Sequence, residues 1–200
     1  MIFTENQSNS IYDGVYDWLS VQKPGDRYSK GRLKYYQKNI WEPIIQVVSE
    51  LSNKSNLREE EKEFLKLVVY NGTIFRIQRY SSRAKGYIEE NGFYQSWSSG
   101  IDGIANITNY SGNVLLIIGD AVNGIDVFGL LCFLMKYKKI TKINLGKYPD
   151  NLCKYEKEQE IEYPILSENI KRIIAVDKVK IQDWKNNIIE IIPKSKWKRN

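Results

Sequence analysis

Not one of the 200 residues is a histidine. That absence excludes Ser-His-Asp and Cys-His catalysis and any chemistry built on an imidazole base, so carboxylates must do whatever general-base work there is. Cysteine is nearly absent too, at Cys132 and Cys153. Two thiols make no disulfide framework, and without histidine they fall short of the ligand set of a zinc site, so no metal is expected. Cys132 lies in an apolar run with Leu131, Phe133 and Leu134 and is expected as a buried thiol. No apolar stretch reaches the roughly 18 residues needed to span a bilayer. The longest, Ile125 to Met135, is broken by Asp126 and Gly129. Met1 to Ser10 is polar and lacks the basic-then-apolar order of a signal peptide, so the expected location is the cytoplasm, with no membrane partner. Gly-rich phosphate loops, G-x-G-x-x-G or Walker, are missing as well, which excludes the Rossmann route to a dinucleotide.

What is present fits one globular domain over 1–200. Hydrophobic residues make up 42% and charged residues 27%, enough of each for a sizeable core under a solvated surface. The net charge of +6 favours an anionic partner: a nucleotide, a nucleic acid or an acidic protein surface. A basic surface that is merely solvated accounts for the same number.

Residues 1–70 read as helical. Ile11, Val15 and Leu19 recur every fourth position, and Pro24-Gly25 breaks that segment. Leu33, Tyr36, Ile40, Ile44, Val47, Val48 and Leu51 follow helical spacing, with Pro43 expected to start a new helix or kink this one. Asn56 and Glu59 resemble a capping box opening a helix over Leu57–Leu67. Residues 71–193 read as a strand-rich core. Thr73–Tyr80, Phe93–Ser98, Val114–Ile118, Ile140–Leu145, Glu160–Ile165, Arg172–Val176 and Ile188–Ile192 are strand candidates, and Ile101–Asn109 a short helix. Gly124–Lys136 fits strand or helix. Helices first and short strands after argue for an α+β fold rather than βαβ alternation. Residues 194–200 form a basic tail that interleaves cations with Trp197; it suits phosphate and base contacts, or simply solvent.

Three local patterns carry chemistry. Ile74-Phe75-Arg76-Ile77-Gln78 sets an arginine in an apolar strand. Gly92-Phe93-Tyr94-Gln95-Ser96-Trp97-Ser98 ends in Ser-x-Ser. Glu158-Gln159-Glu160 runs on into Ile161-Glu162-Tyr163-Pro164. Strand alternation places Glu158, Glu160 and Glu162 on one face, and such like charges repel unless a cationic ligand or target sits among them. Together, in this order, the patterns resemble the Arg-Ser-Glu class of mono-ADP-ribosyltransferases, over roughly Val69 to Val176. Arg172–Val176 resembles the closing strand. The resemblance implies N-terminal helices followed by two packed small antiparallel or mixed β-sheets with NAD+ in a cleft. Ile77 stands where the family often has glycine, which leaves Arg79 as the alternative to Arg76 for the NAD+ arginine.

The resemblance also implies roles. Glu160 stabilises the oxocarbenium-like ribose, Arg76 holds the pyrophosphate, and Ser96, with Ser98, braces strand and ribose, Trp97 lying beside them on the cofactor wall. Glu158 meets the acceptor and takes its proton. The segment Leu145–Lys157 is expected as an acceptor-recognition loop, with Tyr148 or Tyr155 pressing on the target. A glutamate at 158 favours an arginine acceptor; RNA or DNA acceptors are the alternative, and a non-catalytic basic nucleic-acid-binding module a further one. Members of this class include toxins and phage effectors, so a neutralising antitoxin or inhibitor is an expected partner.

Overall fold

The architecture comes from a computed structural model of the chain and is described for residues 2–20, 30–80, 93–137 and 156–197. It is α+β, with a helical layer first and an antiparallel sheet after it. Helix α1 spans Glu5–Ser20. Thr4 and Gln7 form a box at its start: the Thr4 N–H donates to Gln7 Oε1 (2.9 Å) and the Gln7 N–H to Thr4 Oγ1 (3.3 Å). The helix buries Ile11, Val15, Trp18 and Leu19, one stripe at helical spacing. Helix α2 (Lys30–Tyr36) runs into a π-helical turn, Gln37–Trp41, and then α3 (Glu42–Ser52). Pro43 does start a helix, in the first turn of α3, where its missing N–H costs nothing. The backbone reaches it through a wide turn in which the Glu42 N–H donates to Gln37 O.

Helix α4 spans Glu59–Val68. Its cap falls two residues later than Asn56 and Glu59 suggest. Glu61 does the capping, accepting from the Arg58 N–H (2.8 Å), the Arg58 guanidinium (2.7 Å) and Lys54 Nζ (2.9 Å). The chain passes straight from α4 into β1 (Val69–Arg79). Asn71-Gly72 therefore marks no boundary; it sits at a register shift inside the strand, between Tyr70 and Gly72.

The remaining strands are β2 (Tyr94–Ser98), β3 (Asn113–Asp126), β4 (Glu160–Pro164), β5 (Ile170–Asp177) and β6 (Ile188–Ile192). Helix α5 (Ile101–Asn106) lies between β2 and β3, and α6 (Val127–Tyr137) follows β3. The two-sheet expectation is corrected by the pairing. All six strands join in one sheet, β1-β2-β4-β3-β5-β6, in which β1 also pairs β3, and every pairing is antiparallel, none mixed. Strands β1, β2, β4 and β3 so close into a four-stranded barrel, with β5 and β6 added along β3. Central β3 explains its own sequence: Leu115 and Ile117 face the barrel core with Ile74, Trp97, Ile161 and Tyr163, while Val114, Leu116 and Ile118 face a second core with Ile77, Ile104, Ile174 and Val176.

Gly124–Lys136 turns out to be both things it resembled. The strand runs to Asp126, whose carboxylate accepts from the Gly129 N–H (2.7 Å), and α6 starts at Val127. Burial raises the Asp126 carboxyl above its ordinary range. Helix α6 packs on α4, with Phe133 edge-on to Phe64 at 5.0 Å. Cys132 on α6 is half-buried rather than fully buried, and burial pushes its thiol up. The tail is a further correction: Lys194–Lys196 form a 3-10 turn that seats Trp197 in the barrel core, its indole donating to Ile192 O (3.0 Å). Residues Pro24-Gly25, Asn91-Gly92, Ile140–Leu145, Tyr148, Cys153 and Tyr155 lie outside the described residues. No helix among the described residues is long and apolar enough to cross a membrane.

Two outcomes test this packing. The cations around Glu61 hold its carboxyl down at about 2. Its stabilisation is therefore complete above the ordinary carboxylate range and is lost as pH falls toward 2. Glu61→Gln should lower the urea midpoint at pH 7, and the gap to wild type should close through that acid range. A Cβ at Gly129 would overlap the Leu67 carbonyl oxygen. Gly129→Ala gains about 1 kcal/mol of helix propensity but strains a backbone contact that cannot rotate away, at about 1–3 kcal/mol; a net fall in urea midpoint is expected, and a rise would contradict the packing.

Candidate functional site

The site is built on the β2–β4 ribbon. In its antiparallel register Ser96 opposes Glu162 and Ser98 opposes Glu160. Alternation sends Trp97, Ile161 and Tyr163 into the barrel core and turns Ser96, Glu160 and Glu162 outward, toward the helical layer. There the three meet. The Ser96 hydroxyl hydrogen-bonds Glu160 Oε1 and lies 3.0 Å from Glu162 Oε1. From α1 the Trp18 indole N–H reaches the same two oxygens, at 2.8 Å from Glu162 and 3.2 Å from Glu160. Glu162 is fully buried and Glu160 is 5% exposed.

Two carboxylates held this close, away from water, repel and lose hydration, which is tolerable only with strong donors beside them. Ser96 and Trp18 are two such donors. Trp18 is itself fixed, edge-on to Tyr36 at 4.8 Å and to Trp41 at 5.7 Å. A second tie between the layers is the Tyr94 N–H, which donates to Gln37 Oε1 of the π-helical turn (3.1 Å).

Arg76 reaches the same strand from the other side. Strands β1 and β2 pair at Phe75 and Ser98. Further along, the Arg76 guanidinium bridges them, bonding the Ser96 carbonyl and Gln95 Oε1 (3.1 Å). Its planar fork suits that double contact. Arg79, the alternative, is exposed near the end of β1. Arg76, Ser96 and Glu160 are thus brought into one connected group, with Arg76 on the Ser96 backbone and Glu160 on its side chain.

The other expected residues are placed differently. Ser98 is buried, its hydroxyl lying between Gly100 O (2.9 Å) and Glu158 O (2.8 Å), so it clamps the turn before β4. Trp97 packs in the barrel core, and its indole donates to Tyr163 O (3.0 Å). The expected shared face of Glu158, Glu160 and Glu162 is corrected. Glu158 ends a helical turn, Gln159 takes a left-handed φ of 51°, and the strand starts only at Glu160. That reversal takes Glu158 out of the alternation. Glu162, which the motif reading passed over as a site residue, is the second carboxylate; Glu160-Ile161-Glu162 is also a Glu-x-Glu, and the alternation that put it beside Glu160 was the available signal.

Two cavities lie among other residues. One, of about 200 Å³, is lined by Ile2, Lys54 and Glu61; the other, of about 400 Å³, by Ala105, Tyr110, Lys178 and their neighbours. No group of side chains fit to hold a metal is found among the described residues. Comparison with known protein families, with curated proteins and with solved structures finds no match.

Burial, with Tyr163 and Glu162 nearby, pushes the Tyr94 phenol up to about 12. Its proton is then kept in the folded state and lost in the unfolded one between about pH 10 and 12, so folding stability falls across that window. Tyr94→Phe should flatten this part of the fall relative to wild type in urea titrations; parallel curves would contradict the burial of the phenol.

Proposed function

We propose that the chain is a mono-ADP-ribosyltransferase that uses NAD+ as substrate. The observation that carries the reading is the bond between the Ser96 hydroxyl and Glu160, on a strand that Arg76 grips by its backbone. An arginine, a serine and a glutamate from three different strands, far apart in sequence, form one connected group in the order that the sequence motifs lead one to expect.

In the proposed reaction the bond between ribose C1 and the nicotinamide nitrogen breaks, and its electron pair leaves with nicotinamide, cancelling the ring's positive charge. The ribose becomes oxocarbenium-like, as in glycoside cleavage. A carboxylate beside C1 stabilises that charge and accepts a ribose hydroxyl hydrogen bond. Glu160 has this role, with Glu162 adding negative charge behind it. The Ser96 hydroxyl orients both. Arg76 lies one strand away and offers its guanidinium to the pyrophosphate. The acceptor atom then bonds to C1 and gives up its proton, a role proposed for Glu158 in the partly exposed turn before β4. The NAD+ cleft in this proposal follows the outer face of β2 and β4, along the seam with α1.

The acceptor is proposed as a protein side chain, arginine first. RNA or DNA would use the same site and the same basic charge. Trp197 lends no support to a base-stacking module, because its ring is buried.

Purified protein incubated with labelled NAD+ and a cell lysate, then split into protein and nucleic-acid fractions, tests this reading. Label should appear in one fraction, and Glu160→Gln should cut it on the order of 10²–10³-fold with the fold intact. Arg76→Ala should weaken NAD+ binding, and Arg76→Lys should not restore it, since an ammonium lacks the fork. Full activity in Glu160→Gln, or no nicotinamide release at all, would sink the proposal.

A further inference from the structure

We infer that the last turn of α1 is an inhibitory cover, and that the Trp18 indole blocks the two carboxylates until that turn opens. The inference rests on the transferase reading and deepens it, because it concerns regulation of the same site.

The first observation is occupancy. A catalytic carboxylate must present an oxygen to the ribose. Here Oε1 of Glu160 and Oε1 of Glu162 both accept from Trp18 Nε1, and both residues are shut off from solvent. An indole N–H at 2.8 Å from an anionic oxygen fills the place where a ribose hydroxyl would donate. The Oε1 atoms of both carboxylates are thus taken by the protein itself, and a ribose hydroxyl that bonds either of them displaces the indole.

The second observation is the seat of Trp18. Its cage is made by Tyr36 and Trp41. The Trp41 indole N–H is fully buried and makes no hydrogen bond among the described residues. Buried polar groups left unsatisfied disfavour the closed packing, since water would meet them on opening. The cage also rests on a π-helical turn, a local irregularity that is frequent at functional sites.

The third observation is where the opening would occur. Trp18 stands two residues before the end of α1. Freeing it leaves Ile11 and Val15 buried, so the movement is the release of one turn rather than the loss of the helix. That turn is latched by Asp17, which accepts from the Tyr36 hydroxyl and from the Arg32 guanidinium (3.1 Å). The latch is largely solvent-exposed at Asp17, and pairs of this kind hold weakly.

The test compares nicotinamide release from NAD+ by the full chain, by Trp18→Phe and by Asp17→Ala. Trp18→Phe keeps an aromatic ring, though a smaller one, and deletes the donor; Asp17→Ala unlatches the turn without touching the carboxylates. Both should release nicotinamide about tenfold faster than wild type while melting at a lower temperature. A purely structural Trp18 would lower activity and melting temperature together. The gain should vanish in the Trp18→Phe, Glu160→Gln double variant; if it persists, the freed activity is not that of Glu160 and the inference is overturned. Should wild type be active and neither variant faster, the inference fails and the transferase reading stands. No release by any of the proteins overturns the reading, and the cover with it.

Discussion

The Trp18 indole N–H is shared between two buried carboxylates, and the rest of the structure is arranged around that contact. It joins the helical layer to the β2–β4 ribbon at a place where like charges are brought together out of water. Ser96 supports it from the strand side, and the Tyr36–Trp41 cage from the helix side. Removing a donor there leaves buried acceptors short of a partner, a loss of about 1–3 kcal/mol or more for charged groups. Replacing buried charged groups by well-packed apolar residues is often neutral or stabilising, so the pair is not there for stability alone. The pair lies beside an arginine that grips the same strand, and the proposed chemistry is placed there on that ground.

The barrel explains how the site stays in register. Strand β4 carries Glu160 and Glu162 outward only because Ile161 and Tyr163 anchor the opposite face in the core. A slip of one residue would bury the carboxylates among Trp97 and Leu115. The left-handed Gln159 starts the strand at the right residue, and Ser98 holds that turn by its carbonyls. Arg76 closes the gap where β1 and β2 part. Each motif residue therefore has a framework task in addition to its proposed chemical one.

Much of this was legible in the sequence. The α+β order, the apolar stripe of α1 and the strand at Ile188–Ile192 followed from periodicity, and the meeting of Ser96 with Glu160 was expected from the family resemblance alone. What stayed hidden depends on contacts between distant segments. Nothing local to Trp18 says that its indole will reach Glu160 and Glu162, more than a hundred residues away. The ring closure of β1 onto both β2 and β3 is likewise a long-range fact. Glu158 misled because alternation was extended through Gln159, whose positive φ no pattern of apolar residues announces. Gly124–Lys136 resisted a single reading because it holds a strand end, an aspartate cap and a helix start in succession.

The most direct measurement follows the indole N–H resonances of the five tryptophans by nitrogen–proton correlation NMR while NAD+ is added. The Trp18 peak is identified by its loss in Trp18→Phe. If NAD+ enters along the carboxylate face, the Trp18 peak should move and lose its protection from solvent exchange as the ligand saturates. A Trp18 peak that stays unmoved and protected at saturating NAD+ would contradict the account at its centre.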